Sequence, residues 1–159
     1  MKLESGEKGV VGESEVNIVV DASVIVKWFV KEEYRDRALM LRKMHVHEKC
    51  LLIAPKLIIY EVCNALRFNP EFEEEDVMKA SEALFQIHLK LEDLMMEDVF
   101  KVIRNSFKYN ITFYDASYLT LAEKEGCPFV TADEKLYRKI RENPLVYLLS
   151  SERFYEIIS

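Results

Sequence analysis

Glycine is scarce in this sequence outside its first dozen residues. Three of the four glycines lie at positions 6, 9 and 12, and the fourth is Gly126. A chain with so little glycine has few tight turns, so long helices are expected from Val16 onward. We therefore predict a flexible leader over residues 1–15 and one folded domain over residues 16–159.

Cysteine is also scarce, and the cysteines that occur follow no motif. Cys50, Cys63 and Cys127 are widely separated, without the C-x-x-C spacing of metal or redox sites. An odd, unpatterned set predicts reduced thiols in the core of a cytoplasmic protein. A zinc site is not expected either, because His45 and His47 are two residues apart on a predicted helix and do not face each other.

Long apolar runs and a positive charge balance are absent too. No run approaches the roughly 20 apolar residues of a membrane helix, and residues 1–15 lack the apolar centre of a signal peptide. The formal net charge of −6 excludes the broad basic surface that is typical of nucleic-acid-binding proteins. A nucleic-acid partner would have to meet a local basic patch or a pocket whose acids are neutralised by a metal.

The segments that do form a regular pattern alternate between strand and helix. Short apolar segments without in/out alternation predict strands of a parallel sheet covered on both faces; they are residues 17–20, 51–54, 129–131 and 146–149. Helical spacing is found at residues 32–47, 56–68, 73–88, 96–109, 112–125 and 135–142. This alternation predicts an α/β domain with three layers and a short central parallel sheet.

Four carboxylates lie where such a fold would bring them together. Asp21 and Asp133 each follow a predicted strand, Asp115 lies at the start of a helix, and Glu61 lies within an apolar helix. Strand ends and helix starts meet at one edge of a parallel sheet, where ligands bind. Acids gathered there repel one another unless a cation lies between them. The pattern therefore predicts a metal-dependent enzyme.

Each of these acids also has a purely structural explanation. Asp21 and Asp133 could cap the helices that follow them. Thr112 and Asp115 fit the S/T-x-x-D/E capping pattern, so Asp115 could serve only the backbone. Glu61 could lie at a rim in contact with solvent, although an apolar helix suggests burial, and a buried lone carboxylate is costly without a partner.

Taken together, the motifs resemble those of PIN-domain nucleases, and among these the VapC-type toxins of toxin–antitoxin pairs. The resemblance runs from about residue 16 to the end of the chain. It rests on four short motifs in order, D-A-S, E-x-x-N, Y-D-A-S-Y and T-A-D. Their matching residues are Asp21 and Ser23, Glu61 and Asn64, Tyr114 and Asp115, and Thr131 and Asp133. The leader departs from the family, whose members often start only a few residues before the first aspartate.

The resemblance implies a PIN-like α/β/α fold and the cleavage of single-stranded RNA with Mg²⁺ or Mn²⁺. Carboxylates are the hard oxygen ligands that these ions prefer. The implied ligands, direct or through water, are Asp21, Glu61, Asp115 and Asp133. Residues implied to orient these acids or to contact phosphate are Ser23, Asn64 and Thr131. Tyr114 is expected to pack rather than to take part in chemistry.

The resemblance also implies partners. A small antitoxin would place an arginine of its C-terminal segment against the acids. A homodimer is expected from the apolar surface of helices 32–47 and 73–88. Two alternatives stay open at this point: a housekeeping PIN nuclease that trims ribosomal or messenger RNA, and an inactive PIN-like module that binds RNA or protein. The complete set of acids argues against the inactive module.

Basic residues close to two of the acids have two interpretations. They could steer a phosphate backbone toward the metal or form solvated helix faces; they are Lys27, Lys31, Arg35 and Arg37 after Asp21, and Lys135, Arg138, Lys139 and Arg141 after Asp133. Trp28 could stack on a base, but a role in the core or in an interface is favoured.

Overall fold

The computed structural model describes residues 16–159, so the predicted leader lies outside the described residues. Its strands form one sheet in the order β3-β2-β1-β4-β5, and every neighbouring pair is parallel. They are β1 (Asn17–Val20), β2 (Leu51–Pro55), β3 (Lys90–Glu92), β4 (Phe129–Thr131) and β5 (Val146–Leu148). The predicted parallel central sheet is confirmed.

Helices connect these strands and complete an α/β/α domain. They are α1 (Ala22–Val26), α2 (Arg35–Val46), α3 (Leu57–Arg67), α4 (Glu74–Ile87), α5 (Met96–Tyr109), α6 (Phe113–Glu125), α7 (Glu134–Ile140) and α8 (Phe154–Ile158). Between residues 16 and 159, no helix is long and apolar enough to span a lipid bilayer. The six predicted helices all exist, although the first begins at Arg35 rather than at residue 32.

Three elements lie outside the predicted ranges: α1, which was considered only as the helix that Asp21 could cap, and β3 and α8, which were not predicted at all. The strand β3 reads Lys-Leu-Glu, lies at the edge of the sheet and is half-buried to exposed. Edge strands keep polar side chains in solvent, so β3 lacks the apolar run on which the other strand predictions depend. The helix α8 has only five residues, too few to display a helical period.

The core surrounds the three central strands. Their residues Ile18–Val20, 52–54 and 129–131 are fully buried, as two-sided coverage of a parallel sheet requires. Trp28 is 2% exposed and donates its indole N–H to the carbonyl of Ala38 at 2.8 Å, so its predicted core role is confirmed. Among the described residues the cysteines form no disulfide, and two of the three, Cys50 and Cys127, are buried.

Several helices end at a residue in the left-handed backbone conformation, although the chain has little glycine. Gly126 caps α6 in the left-handed conformation (φ 61°), as predicted. At other positions non-glycine residues adopt this left-handed conformation, among them His88 after α4 and Asn110 after α5. The chain therefore accepts modest backbone strain at these positions instead of using glycine.

Exposed apolar surface occurs on both helices for which it was predicted and on one further helix. Helix α2 buries Ala38 and Leu41 but exposes Met40 and Val46. Helix α4 exposes Met78 and Phe85. The largest exposed stripe is instead on α5, at helical spacing; it consists of Met96, Phe100, Ile103 and Phe107, and we call it the α5 stripe.

Candidate active site

The chain order of the sheet creates a crevice beside β1. From β1 the chain moves to β2 and β3 on one side and later adds β4 and β5 on the other. The carboxyl ends of β1 and β4 therefore lie side by side, with Val20 paired to Val130. A change of direction of this kind is where open α/β sheets bind ligands. Asp21 follows β1 directly, and Thr131 ends β4.

Asp21 is the most buried of the four acids at this edge of the sheet. It is 6% exposed, and both of its carboxylate oxygens accept hydrogen bonds. The Ser23 hydroxyl and amide donate to Oδ1 at 2.5 and 3.1 Å, and the Thr131 hydroxyl donates to Oδ2 at 2.5 Å. The amide contact makes Asp21 the N-cap of α1, so the capping interpretation holds and is compatible with a place in the site.

The two hydroxyls tie Asp21 to the loop after β4. Ser23 Oγ accepts the N–H of Ala132 at 2.8 Å, and Thr131 Oγ1 accepts the N–H of Asp133 at 3.1 Å. Each hydroxyl thus donates to the buried carboxylate and accepts from the backbone. These hydrogen bonds consequently fix the backbone of Asp133 relative to the carboxylate of Asp21.

Glu61 reaches the site from α3 and is half-buried. Its Oε1 accepts a hydrogen bond from the hydroxyl of Tyr118 at 2.6 Å. Tyr118 is fully buried, and its ring stacks on Phe129 of β4 with centroids 6.1 Å apart. Sequence reasoning missed Tyr118, although it lies three residues after Asp115 and therefore on the same face of α6.

Asp115 and Asp133 complete the group toward the solvent. Asp115 is half-buried in the first turn of α6, and its amide donates to the hydroxyl of Thr112, the N-cap, at 3.0 Å. Thr112 therefore caps the helix as the pattern predicted, but the Asp115 carboxylate binds no backbone amide of the described residues. Asp133 is exposed and caps α7, because its Oδ1 accepts the N–H of Leu136 at 3.0 Å. Exposure therefore increases from Asp21 to Asp133. We call Asp21, Glu61, Asp115 and Asp133 the acid cluster.

Two other residues of the predicted motifs lie away from this hydrogen-bond network. Asn64 is exposed one turn after Glu61, and its side chain makes no hydrogen bond to residues 16–159. Tyr114 was expected to pack, and that expectation is wrong because 58% of it is exposed beside Asp115. It lies with Ser117 on the wall of a cavity of about 280 Å³ between α5, α6 and the start of α3.

The pKa values show that the acid cluster is one electrostatic unit. The pKa of Asp21 is raised to about 7, mainly by burial and in smaller part by the charges of Asp115 and Asp133, while the hydroxyls of Ser23 and Thr131 oppose the increase. Burial also raises the pKa of Glu61, with a smaller increase from Asp115. Mutual repulsion was expected to raise at least one pKa, and it does, but burial is the larger cause.

Asp115 experiences charges of both signs. Burial and the neighbouring Asp133 raise its pKa, while Thr112 and the positive charge of Lys139 lower it. Lys139 lies on α7 and donates to the carbonyl of Asn110 at 3.0 Å. The basic residues after Asp133 thus include one close enough to influence the acid cluster.

The basic run after Asp21 does not form a phosphate-steering surface as a whole. Arg35 donates to the carbonyls of Lys27 and Trp28, and Lys27 donates to the carbonyl of Glu33. Arg37 is buried among backbone carbonyls and aromatic rings. Within this run only Lys31 remains exposed without such contacts in the described part of the chain.

The acid cluster has the chemistry of a cation site, but its side chains are not arranged as a closed coordination shell. In residues 16–159, none of its members forms an ion pair. The same residues contain no group of three Asp, Glu, His or Cys side chains arranged to hold a metal. Asp21 uses both carboxylate oxygens for hydrogen bonds, whereas Glu61 and Asp133 each use one and keep the other without a protein donor among the described residues. The donor set nevertheless consists of carboxylate oxygens alone, which are the ligands that Mg²⁺ and Mn²⁺ prefer.

Comparisons with known proteins agree with these observations. The sequence model of the family described as PIN domain matches residues 18–142. Ribonuclease VapC3 of Pyrobaculum aerophilum is 30% identical over 131 residues, which are 78% of this chain and 95% of that protein. Exonuclease VapC9 of the same organism is 34% identical over 85 residues, 54% of this chain and 64% of that protein.

Solved structures show the same architecture. The crystal structure of PAE2754 from Pyrobaculum aerophilum superposes with a TM-score of 0.54 at 30% identity, covering 79% of this chain and 86% of that one. VapC20 of Mycobacterium tuberculosis, described as a sarcin-ricin loop cleaving toxin, superposes with a TM-score of 0.58 at 12% identity. That match covers 76% of this chain and 93% of VapC20, and at this identity it concerns the fold alone.

Proposed function

The chain belongs to the PIN domain family, and from that premise we propose that it is a metal-dependent endoribonuclease that cleaves single-stranded RNA. The observation that carries the proposal is the acid cluster. Four carboxylates interact at the carboxyl edge of the sheet beside β1, and none of them forms an ion pair among the described residues, although the charge of Lys139 reaches Asp115. A fold maintains such repulsion at a cost to its stability unless a ligand relieves it.

Asp21, Glu61, Asp115 and Asp133 would hold the metal. The chemistry that Mg²⁺ or Mn²⁺ supplies to phosphodiester hydrolysis is the activation of water and the stabilisation of charge on the phosphate and the leaving oxygen. The protein supplies orientation. Ser23 and Thr131 fix Asp21, the backbone of α7 fixes Asp133, and Asn64 lies on the exposed side where a phosphate could approach.

The surroundings of the acid cluster suit a flexible, single-stranded RNA. Lys139 places a positive charge close to Asp115, and Lys135 and Arg138 are exposed on the same helix. Phe113 and Tyr114 are 36% and 58% exposed next to Asp115, where they could stack on unpaired bases. A local basic helix and aromatic side chains would thus offset the overall negative charge.

A cleavage assay tests this proposal. The purified protein is incubated with linear single-stranded, linear double-stranded and circular single-stranded RNAs, in Mn²⁺, in Mg²⁺ and in EDTA. We expect cleavage of both single-stranded RNAs with metal and no cleavage in EDTA. The circular RNA is decisive for the mode of attack, because one relative is called an exonuclease and an exonuclease would leave the circle intact.

We further propose that the protein is the toxin of a VapBC-type pair and acts in the cytoplasm. Its antitoxin would insert an arginine into the acid cluster, since a planar guanidinium can bridge two carboxylates with paired hydrogen bonds. Such an arginine would supply the positive charge that the described residues do not provide to Glu61 and Asp21.

The product of a neighbouring gene provides the test of the toxin role. It should bind this protein and inhibit cleavage, and changing its C-terminal arginines to alanine should weaken inhibition. Raising Mg²⁺ should also weaken inhibition, because ion and arginine compete for the same carboxylates. If no neighbouring product binds, or binding leaves cleavage unchanged, a housekeeping nuclease becomes the better account.

A homodimer is proposed on the α5 stripe. Phe107 and Phe100 are 83% and 64% exposed there, and a stable symmetric interface buries about 800 Å² on each partner. Light scattering should give twice the 18.7 kDa chain mass. Phe107→Asp should yield monomers, whereas Val46→Asp, a matched change on exposed α2, should leave the dimer intact.

A further inference from the structure

Tyr118 is the one donor that the described part of the chain offers to Glu61. Its hydroxyl lies 2.6 Å from Oε1, and no other side chain or amide of residues 16–159 donates to that carboxylate. The other acids are held differently: Asp21 accepts from two hydroxyls and an amide, and Asp133 accepts from the backbone of its own helix. Glu61 has the longest side chain of the acid cluster and so the most rotamers to restrict.

The Tyr118 hydroxyl is itself rigidly placed. The residue is fully buried in α6, and its ring lies almost parallel to that of Phe129, with an interplanar angle of 6°. Phe129 belongs to β4, the strand that also carries Thr131 and leads to Asp133. The ring stack therefore connects the orientation of Glu61, on α3, to the strand that positions two other groups of the site.

We propose that Tyr118 is a positioning residue: it holds Oε1 of Glu61 and so leaves Oε2 available to bind a divalent ion. The inference rests on the proposed function, because it assumes that the acid cluster binds a divalent ion. Partners that orient ligand side chains in this way commonly contribute tenfold or more to metal affinity.

The opposite relation between the two residues makes a different prediction. A buried tyrosine hydroxyl needs a hydrogen-bond partner. Glu61 could therefore be present to accept the hydrogen bond of Tyr118, without being oriented by Tyr118 for metal binding. Removal of the hydroxyl would then free Glu61, and metal affinity would stay the same or rise. Tyr118→Phe separates the two cases, because it keeps the ring and its stack on Phe129.

The experiment measures Mn²⁺ affinity by calorimetry, without RNA, for the full chain. Tyr118→Phe is expected to weaken Mn²⁺ binding roughly tenfold, while the control Tyr109→Phe, at the end of α5, changes it less than about twofold. In a Glu61→Gln background, Tyr118→Phe should have almost no further effect, since a positioning residue acts only through the group it positions. Cleavage by Tyr118→Phe should recover as Mn²⁺ is raised, which a damaged fold would not allow.

Each outcome separates this inference from the proposed function. If wild type binds Mn²⁺ and cleaves RNA but Tyr118→Phe binds Mn²⁺ equally well, the positioning role is wrong and the nuclease proposal stands. An equal loss in the presence and absence of Glu61 would also overturn the positioning role, because it would indicate a general structural effect. If wild type binds no Mn²⁺, both proposals fail.

Discussion

Arg37 and Asp21 are both buried charged residues, but they differ in the partners that the protein provides for the charge. Arg37 is 9% exposed, and its guanidinium donates to the carbonyls of Leu149 and Ser151 at 2.9 and 3.0 Å. It also pairs with Glu152 at 3.3 Å and lies 4.8 Å from the centre of the Tyr155 ring. The protein itself supplies everything that this cation needs.

Asp21 is buried to the same degree but receives no cation from the described residues. Its donors are neutral, and its charged neighbours, Asp115 and Asp133, have the same sign. A buried charge that is satisfied internally joins two parts of a fold, here α2 and the segment before α8. A buried charge that is left unneutralised indicates a place for a ligand.

The largest expected effect is the loss of cleavage on neutralising Asp115. Asp115→Asn should reduce RNA cleavage by at least about 1,000-fold, since it removes one ligand of the acid cluster and nearly all function depends on the complete set. The free energy of unfolding without metal should not fall, because repulsion with Asp133 disappears. Cleavage rates and chemical unfolding of the purified variant check both statements, and near-normal activity would remove Asp115 from the site.

The pH dependence of stability should show the cost of Asp21. Its folded-state pKa is raised, so between its ordinary value and about pH 7 the folded protein keeps a proton that the unfolded chain has lost. The stability of the metal-free protein should therefore fall as pH rises through this window, by up to roughly 4 kcal/mol. Urea unfolding in EDTA from pH 4 to 8 measures this slope, and Asp21→Asn should flatten it.

Removal of the Arg37 cation should affect stability and leave chemistry intact. Arg37→Met keeps the aliphatic stem but leaves the carbonyls of Leu149 and Ser151 without a donor, which should cost roughly 2–3 kcal/mol of unfolding free energy. Cleavage per folded molecule should match wild type. A large loss of kcat in a fully folded Arg37→Met protein would contradict the purely structural role that we assign to Arg37.

The smallest effect is expected at Lys139. Lys139→Ala removes a positive charge near Asp115, so kcat/KM for RNA should fall by roughly threefold at low salt, and the difference should shrink as salt is raised. Lys31→Ala, an exposed lysine of the basic run after Asp21, is the matched control and should have no measurable effect. Equal losses at both positions would indicate nonspecific charge attraction instead.

Features of the fold and of the candidate site could be predicted from the sequence where they depend on residues close together in the chain, and could not where they depend on residues far apart in it. The parallel sheet followed from apolar segments, which are local signals. The four acids were singled out by short motifs at two strand ends, at a helix start and within a helix, which are local signals too. Arg37 was misinterpreted because its acceptors lie more than 100 positions later, in a segment that the basic run does not reveal. Tyr118 was missed because its role depends on the contact between α6 and α3, which no spacing within either helix displays.

The most direct test of the central claim compares the unfolding free energies of wild type and Asp21→Asn at pH 7.5, with and without Mn²⁺. Asparagine removes the charge and can still accept from Ser23 through its oxygen, while its amide nitrogen would donate to the Thr131 hydroxyl instead of accepting from it. Without metal, we predict that the variant is more stable than wild type. With Mn²⁺ at 100 times its Kd, the unfolding free energy of wild type should rise by about 2.7 kcal/mol and that of the variant by little. The stability difference between the two proteins should therefore shrink or change sign. If Asp21→Asn is the less stable protein without metal and Mn²⁺ leaves wild type unchanged, the acid cluster is not a cation site.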